Sequence, residues 1–157
     1  MKDKTACFTG HRELREAPKM IASRLSVILE ELIRQGYRYF GAGGARGFDM
    51  LAAKTVLKLK KQYPHIHLIL VLPFPNQYEA EKNWSIAEIL EYHYLKKVAS
   101  KVVHLEESYS RGCYYRRNEH LVNCSSVCIS YRYKDRGGTA YTTRYAETRG
   151  LRVINCI

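Results

Sequence analysis

Residues 37–72 read YRYFGAGGARGFDMLAAKTVLKLKKQYPHIHLILVL, and this stretch decides the fold. The run Tyr37–Gly41 predicts a strand, and the glycine-rich loop after it leads into a predicted helix over Asp49–Gln62 with apolar residues near helical spacing. Pro64 ends that helix. The run Ile66–Leu72 is nearly all apolar, which is typical of a central strand covered on both faces. Strand, helix and strand in this order indicate two parallel strands joined by a helix.

The same alternation of strand and helix extends along the rest of the chain. It predicts an α/β fold: a single Rossmann-like domain over residues 1–157, with three layers and a mostly parallel sheet of about six strands. The further strands are predicted at Lys4–Thr9, Lys101–Leu105, Val127–Tyr131 and Arg152–Cys156. The further helices are predicted at Ala17–Gln35, Trp84–Val98, Gly112–Asn123 and Thr139–Thr148.

Composition narrows the class of protein. Of the 157 residues, 46% are hydrophobic and 26% charged, so the chain can bury a core without disulfides or a structural metal. No apolar run approaches the ~20 residues that span a bilayer, and Met1–Arg12 lacks the apolar segment of a signal peptide. The five cysteines include no CxxC pair, so no metal site is expected and a reducing cytoplasm is favoured.

The net charge indicates an anionic partner. Lys and Arg number 26 against 15 Asp and Glu, which leaves a formal charge of +11 at pH 7. Such a surface attracts nucleotides, nucleic acid and acidic lipid head groups. It also keeps a protein soluble, so the charge alone does not choose among these partners.

Three loops that follow predicted strands carry residues suited to an anion. In a parallel sheet, ligands bind outside the carboxyl ends of the strands. The first loop is Thr9-Gly10-His11-Arg12. Gly10 permits a close approach of the backbone to a ligand, and the two side chains after it supply a donor and a cation. A plain turn with solvated side chains is the alternative.

The second and third loops are rich in glycine. Four glycines within residues 41–47 leave exposed amides before a helix, which favours an anion, unless they only permit close packing of helix on strand. Asp49 follows, either as an N-cap or as the acceptor of a ribose hydroxyl. In the third loop, Gly137, Gly138 and Thr139 supply donors to a phosphate, or they form a turn with Thr139 as the N-cap.

Two further pairs of residues are candidates for the site. Phe74 and Trp84 are candidates to stack on a base, and a core position is the alternative for this single tryptophan. Arg117 and Asn118 lie in the helix before the fifth strand. Arg117 is a candidate to contact a phosphate or a ribose, and a solvated helix face is the equal alternative.

Short motifs in a fixed order give the chain a family resemblance. They run from Thr9 to Ala146: TGHR with Glu13-Leu14, GGARGFD with Ala52, LPF with Gln77 and Trp84, Gly112-Cys113, Arg117-Asn118, and GGTAYTTRYA. On these motifs the chain resembles the YpsA-like family of the SLOG superfamily, which is named for the SMF/DprA and LOG proteins. The resemblance covers most of the chain.

The resemblance implies a Rossmann-like fold whose glycine loops bind a nucleotide or a nucleotide derivative such as ADP-ribose. Members of the YpsA-like branch are linked to bacterial cell division and stress. The LOG branch is similar but uses a PGGxGTxxE loop, whose Glu helps to hydrolyse an N-glycosidic bond. Here the positions just after Gly137 and Gly138 hold no carboxylate, and the nearest one beyond the glycines is Glu147. This argues against LOG-type hydrolysis but not against nucleotide binding.

The leading hypothesis is a small-nucleotide-binding protein with a sensor or regulatory role. The expected ligand is a nucleotide or an ADP-ribose-like molecule, no membrane partner is expected, and a homo-oligomer is left open. The residues predicted to bind the ligand are Thr9, Gly10, His11, Arg12, Gly43, Gly44, Arg46, Gly47, Asp49, Phe74, Trp84, Arg117, Asn118, Gly137, Gly138 and Thr139.

Two alternative functions remain open at this point. The first is an enzyme that cleaves an N-glycosidic or phosphate bond of a nucleotide. Its candidates for the chemistry are Asp49, Glu147 and His11, with Arg117 stabilising developing charge. The second is DprA-like binding of single-stranded nucleic acid by the basic surface, with stacking by Tyr114, Tyr115 and Tyr131.

Overall fold

Six parallel strands and five α-helices alternate along the chain, in a computed structural model that describes every residue from Met1 to Ile157. The α/β Rossmann-like fold predicted from the sequence is thereby confirmed. The strands are β1 (Thr5–Gly10), β2 (Tyr39–Ala42), β3 (His67–Leu72), β4 (Lys101–His104), β5 (Val127–Tyr131) and β6 (Arg152–Asn155). The helices are α1 (Pro18–Arg34), α2 (Phe48–Lys60), α3 (Ile86–Val98), α4 (Cys113–Asn123) and α5 (Gly138–Thr148).

The strand order β4-β3-β2-β1-β5-β6 determines where a ligand can bind. From β1 the chain builds the sheet outward through β2 and β3 to β4, and then crosses back to place β5 on the other side of β1. Gly10 at the end of β1 lies in register with Tyr131 at the end of β5. The connections after these two strands diverge, which opens a crevice at the carboxyl edge of the sheet.

The core lies on both faces of the sheet. The larger cluster joins the sheet to α1, α2 and α3 through side chains such as Phe8, Phe40 and Leu25. The smaller cluster joins it to α4 and α5 and includes Cys7 and Cys128, which are directly opposite each other on β1 and β5. Because β3 lies between β2 and β4 with helices over both faces, its nearly unbroken apolar sequence is explained.

Local signals explain where the helices begin. Pro18 occupies the first position of α1, where its missing N–H has no partner to lose. Ser85 caps α3 in a capping box with Glu88. Gly47 and Gly137 hold the N-cap positions of α2 and α5, so the capping option predicted for Asp49 and for Thr139 is wrong. Those two side chains lie in the first turn of their helices instead, and neither caps its helix.

The predicted and observed element boundaries differ by at most two residues. The stretch between β3 and α3 contains one short 3-10 helix at Gln77–Ala80. None of the five α-helices combines the length and the apolar character that crossing a membrane requires.

Candidate ligand-binding cleft

A cleft of about 420 Å³ lies at the carboxyl edge of the sheet, between the ends of β1 and β5. It is the crevice expected at the switch point of the sheet. All three predicted loops contribute to it, together with α4. Its lining residues are Thr9, Gly10, His11, Arg12, Glu13, Ala45, Asp49, Tyr114, Tyr115, Arg117, Asn118, Tyr133, Lys134, Gly138 and Thr139.

His11 and Tyr133 link the two walls of the cleft. The backbone N–H of Tyr133 donates to Nε2 of His11 at 3.2 Å, and the two rings lie 4.1 Å apart. Nε2 must therefore carry a lone pair, so the imidazole is neutral in this arrangement. Partial burial, followed by the charges of Lys134, Arg15 and Arg132, lowers the pKa of His11, which agrees with a neutral ring.

Asp49 and Arg117 place two opposite charges at the floor of the cleft. Asp49 is 6% exposed and Arg117 is 4% exposed. The Asp49 carboxylate accepts from the backbone N–H of Ala45 at 3.3 Å. Burial raises the pKa of Asp49, while the Arg117 charge and the Ala45 amide oppose that rise. A carboxylate held in this way is suited to accept a hydrogen bond from a hydroxyl group.

The Arg117 guanidinium is anchored on two sides. It donates to the backbone carbonyl of Gly43, and its Nε donates to Oδ1 of Asn118 at 2.7 Å. Its guanidinium carbon also lies 5.7 Å from the centre of the Tyr114 ring. The side chain therefore bridges α4 and the loop after β2, and it presents a fixed positive charge under the cleft.

The N-terminus of α5 faces the cleft at Gly138 and Thr139. The first hydrogen bond of this helix runs from Tyr141 N–H to Gly137 O at 3.0 Å. The amides before Tyr141 therefore have no acceptor within the helix. A Cβ at Gly138 would have no heavy atom within 4 Å. Gly138 is therefore open, and free amides at a helix start are a favourable site for an anion.

The glycines of the loop after β2 have a different role. A Cβ at Gly43 would overlap the Arg117 guanidinium, one at Gly44 would overlap the Leu72 side chain, and one at Gly47 would overlap the Arg12 backbone. Gly44 and Gly47 also have φ values of +75° and +83°, which side-chain-bearing residues rarely adopt. Close packing explains these three glycines, and only Ala45 of this loop and Asp49 in the first turn of α2 line the cleft.

Phe74 and Trp84, predicted to cover a base, do not line the cleft. Phe74 is buried, with its ring edge against Tyr109. Trp84 packs on Tyr78, and its Nε1–H donates to Glu81 at 3.1 Å. The aromatic residues at the cleft are Tyr114, Tyr115 and Tyr133.

Four other predicted residues also lie away from the cleft or in the core. Arg46 donates to Glu13 at 2.8 Å and does not reach the cleft, and Glu147 is exposed on α5 beyond it. Gly137 lies in a neighbouring groove. Tyr131, predicted to stack on nucleic acid, is fully buried, so that prediction is wrong.

Sequence reasoning missed Tyr133 and Lys134. They lie two and three residues after the end of β5 and line the cleft from that side. Their position after a strand that ends at the carboxyl edge was the available signal, because every such loop meets at this edge. The glycines at 137 and 138 form a stronger pattern in the sequence, so the binding residues of this loop were predicted there and not at Tyr133 and Lys134.

A parallel sheet with a polar cleft at its switch point places the protein among the Rossmann-like α/β proteins. The family model YpsA, described as the YspA SLOG family, matches residues 7–152. The chain therefore belongs to the YspA SLOG family, as its motifs predicted.

Bacterial relatives share most of the chain. It is 29% identical over 140 residues to the SPbeta prophage-derived protein YoqJ of Bacillus subtilis (strain 168), a match that covers 81% of this chain and 80% of YoqJ. It is also 29% identical over 143 residues to a UPF0398 protein of Halalkalibacterium halodurans, covering 89% of this chain and 72% of the relative.

A solved structure of the same fold is DNA processing protein A from Helicobacter pylori, described for its single-stranded DNA binding mode. The TM-score is 0.65 at 17% sequence identity, and the match covers 97% of this chain. The chain spans 64% of the length of that protein. At this identity the likeness concerns the fold.

Proposed function

We propose that the cleft binds a small phosphate-bearing ligand, a nucleotide or an ADP-ribose-like molecule, and that the protein has a sensor or regulatory role. One observation carries the proposal. The amides of Gly138 and Thr139, which donate to no backbone carbonyl, share a single cleft with the cations of Lys134 and of Arg12, whose guanidinium also lies 3.4 Å from Glu81, at the switch point of the sheet.

The lining residues divide into three roles. The start of α5, with Lys134 and Arg12, would hold the phosphates, since free amides and cations both favour negative charge. Asp49 would accept a hydrogen bond from a ribose hydroxyl. Tyr114 or Tyr133 would pack against the base, in place of the Phe74 and Trp84 predicted from the sequence.

A thermal-shift screen of the full chain tests the proposal. NAD, ADP-ribose, AMP, ATP, GTP and cyclic dinucleotides are each added in excess, because a ligand that binds only the native state raises the unfolding midpoint. At about 100 times its dissociation constant, the gain is about 2.7 kcal/mol. If none of these compounds shifts the midpoint, the proposal fails.

The variant Gly138→Glu separates binding from folding. An acidic residue in the first turn of α5 suits the helix dipole, so the unliganded midpoint should hold or rise slightly. The same carboxylate occupies and repels the phosphate position, so the ligand-induced shift should disappear. The matched control Met20→Glu adds the same charge in the first turn of α1, at an exposed position outside the cleft, and should keep the shift. Equal shifts in both variants would place the ligand elsewhere.

A second candidate function, binding of single-stranded nucleic acid, is favoured by a groove beside the cleft. The groove measures about 490 Å³, lies along α5 and meets the cleft at Tyr115. Its lining combines Tyr115, Tyr141 and Tyr145 with Arg136 and Arg144. Aromatic faces next to cations are suited to stacked bases and backbone phosphates, and the Helicobacter pylori neighbour is described as binding single-stranded DNA.

Fluorescence anisotropy with a labelled oligothymidine distinguishes the two functions. Nucleic-acid binding predicts an affinity that falls steeply as salt rises, whereas binding in the cleft should depend far less on salt. Tyr115→Ala should weaken oligonucleotide binding by about 1–3 kcal/mol if a base stacks there. An oligonucleotide that binds equally well to Tyr115→Ala and to the wild type would remove this second candidate.

A further inference from the structure

Helix α3 carries an apolar ridge on its outer surface. Ile86, Leu90, Tyr94 and Val98 are four residues apart, so they lie along one line of the helix, and their exposed fractions are 78%, 65%, 54% and 38%. The opposite side of the helix already packs on the core through Tyr92 and Leu95. One apolar face is enough to pack a helix on its domain. Helix α3 therefore has a second apolar face that no part of the chain covers.

A groove lies directly beside the ridge. It has a volume of about 290 Å³ and runs between α3, α2 and the start of α1. Leu14, Met50, Leu51 and Ala87 are among its lining residues. Lys54 and Glu91 also line it, with a distance of 3.5 Å between their charged atoms. The surface therefore has a protruding apolar element and an apolar hollow next to each other.

The charges around the ridge are divided along the helix. The amino-terminal half of α3 carries the carboxylates of Glu88 and Glu91, and the second of these pairs with Lys54. The carboxyl-terminal half carries the cations of Lys96 and Lys97. Two such helices placed antiparallel bring the acidic half of one against the basic half of the other.

We infer that this surface binds a second copy of the chain in a two-fold symmetric dimer. A two-fold interface uses the same patch on both partners, so the patch must be complementary to itself. The α3 surface meets this condition in shape, because the ridge of one copy can enter the groove of the other. It also meets the condition in charge. Without such local matching, two chains of charge +11 would repel each other.

Sedimentation equilibrium of the full chain over a wide concentration range tests this inference. The wild type should approach twice the 18.2 kDa mass of one chain. Leu90→Glu should raise the dimer dissociation constant about a hundredfold or more, because both copies lose an apolar contact and gain a buried charge. Its far-UV circular dichroism should be unchanged, since Leu90 is 65% exposed in the single chain.

Val27→Glu is the matched control. Val27 is 68% exposed on α1, so this variant adds the same charge at an equally exposed apolar position outside the patch, and it should dimerise like the wild type. A wild type that stays monomeric at every concentration overturns the inference. So does a dimer that survives Leu90→Glu, or one that both variants abolish alike. None of the ridge residues lines the cleft, so the outcome is independent of ligand binding.

Discussion

Replacing Arg117 with Met should be among the most damaging single changes in this protein. Arg117 is 4% exposed, donates to the Gly43 carbonyl and to Asn118, and lies close enough to Asp49 to influence its pKa. Met replaces the side chain only as far as Nε and carries no charge. The variant therefore leaves a buried carboxylate without its main compensating charge and a backbone carbonyl without its donor.

The cost can be built from these contacts. A hydrogen bond from a charged donor contributes about 1.5–3 kcal/mol, and breaking a buried charge pair by removing one partner costs about 3–5 kcal/mol in total. Domains of this kind unfold at about 5–15 kcal/mol, so Arg117→Met should lose a large fraction of the free energy of unfolding. At about 2–4 °C per kcal/mol, the midpoint should fall by roughly 6–20 °C.

The loss should also depend on pH, through Asp49. Burial already raises the pKa of Asp49, and Arg117 opposes that rise. Without Arg117 the folded-state pKa lies further above the unfolded value of about 3.9. A group with a raised pKa stabilises the fold below its unfolded pKa and loses that contribution as the pH rises through the folded pKa. The deficit of Arg117→Met should therefore be larger at pH 8 than at pH 5.

Urea unfolding followed by circular dichroism measures this effect. The wild type, Arg117→Met, Asp49→Asn and the double variant are compared at both pH values. The double variant should recover part of the lost stability and should lose the added pH dependence, because the unpaired carboxylate is gone. The reasoning is refuted if Arg117→Met unfolds within about 1 kcal/mol of the wild type, or if the double variant is no more stable than Arg117→Met.

Two further predictions concern the loops around the cleft. Gly44→Ala should cost about 2–5 kcal/mol of unfolding free energy, since it adds a Cβ at positive φ and against Leu72; urea unfolding that matches the wild type would contradict the packing role of this glycine. His11→Gln should reduce the loss of stability in acid. The pKa of His11 is lowered, so its contribution is present above the unfolded pKa of about 6.5 and is lost as the pH falls below it. The pKa values of His67 and His104 are also lowered, so the free energy of unfolding falls with pH in both proteins. The fall between about pH 6.5 and 5 should be smaller in the variant. Equal falls in the two proteins would refute the role of His11.

The fold could be predicted because its signals are local. The apolar run that contains β3, the proline at 64 that ends the helix before it and the alternation of elements each depend on neighbouring residues, and together they predict the parallel sheet. The edge of the sheet where ligands bind follows from that topology alone. For this reason Thr9, His11 and Thr139 were predicted at the place where the cleft lies.

The parts that sequence reasoning could not resolve depend on distant contacts. Whether a glycine admits a ligand or a neighbouring side chain is decided by what faces it. Gly43 faces Arg117 from α4, whereas Gly138 faces open space, and nothing in the sequence distinguishes them. Trp84 looked suited to a base but packs beside Tyr78. Which aromatic residue meets the cleft is a property of the assembled tertiary structure.

The position of β1 in the middle of the sheet has a consequence for how the protein is made. β1 can pair with β2 soon after both have been synthesised, but its other edge has no partner until β5 has been synthesised. The walls of the cleft are joined by His11 and Tyr133, which are 122 residues apart in the chain. At about 5–20 residues per second, translation takes about 6–24 seconds to cover that distance. During that time the first strand has an unpaired edge, the kind of surface at which chains aggregate, and no binding cleft exists.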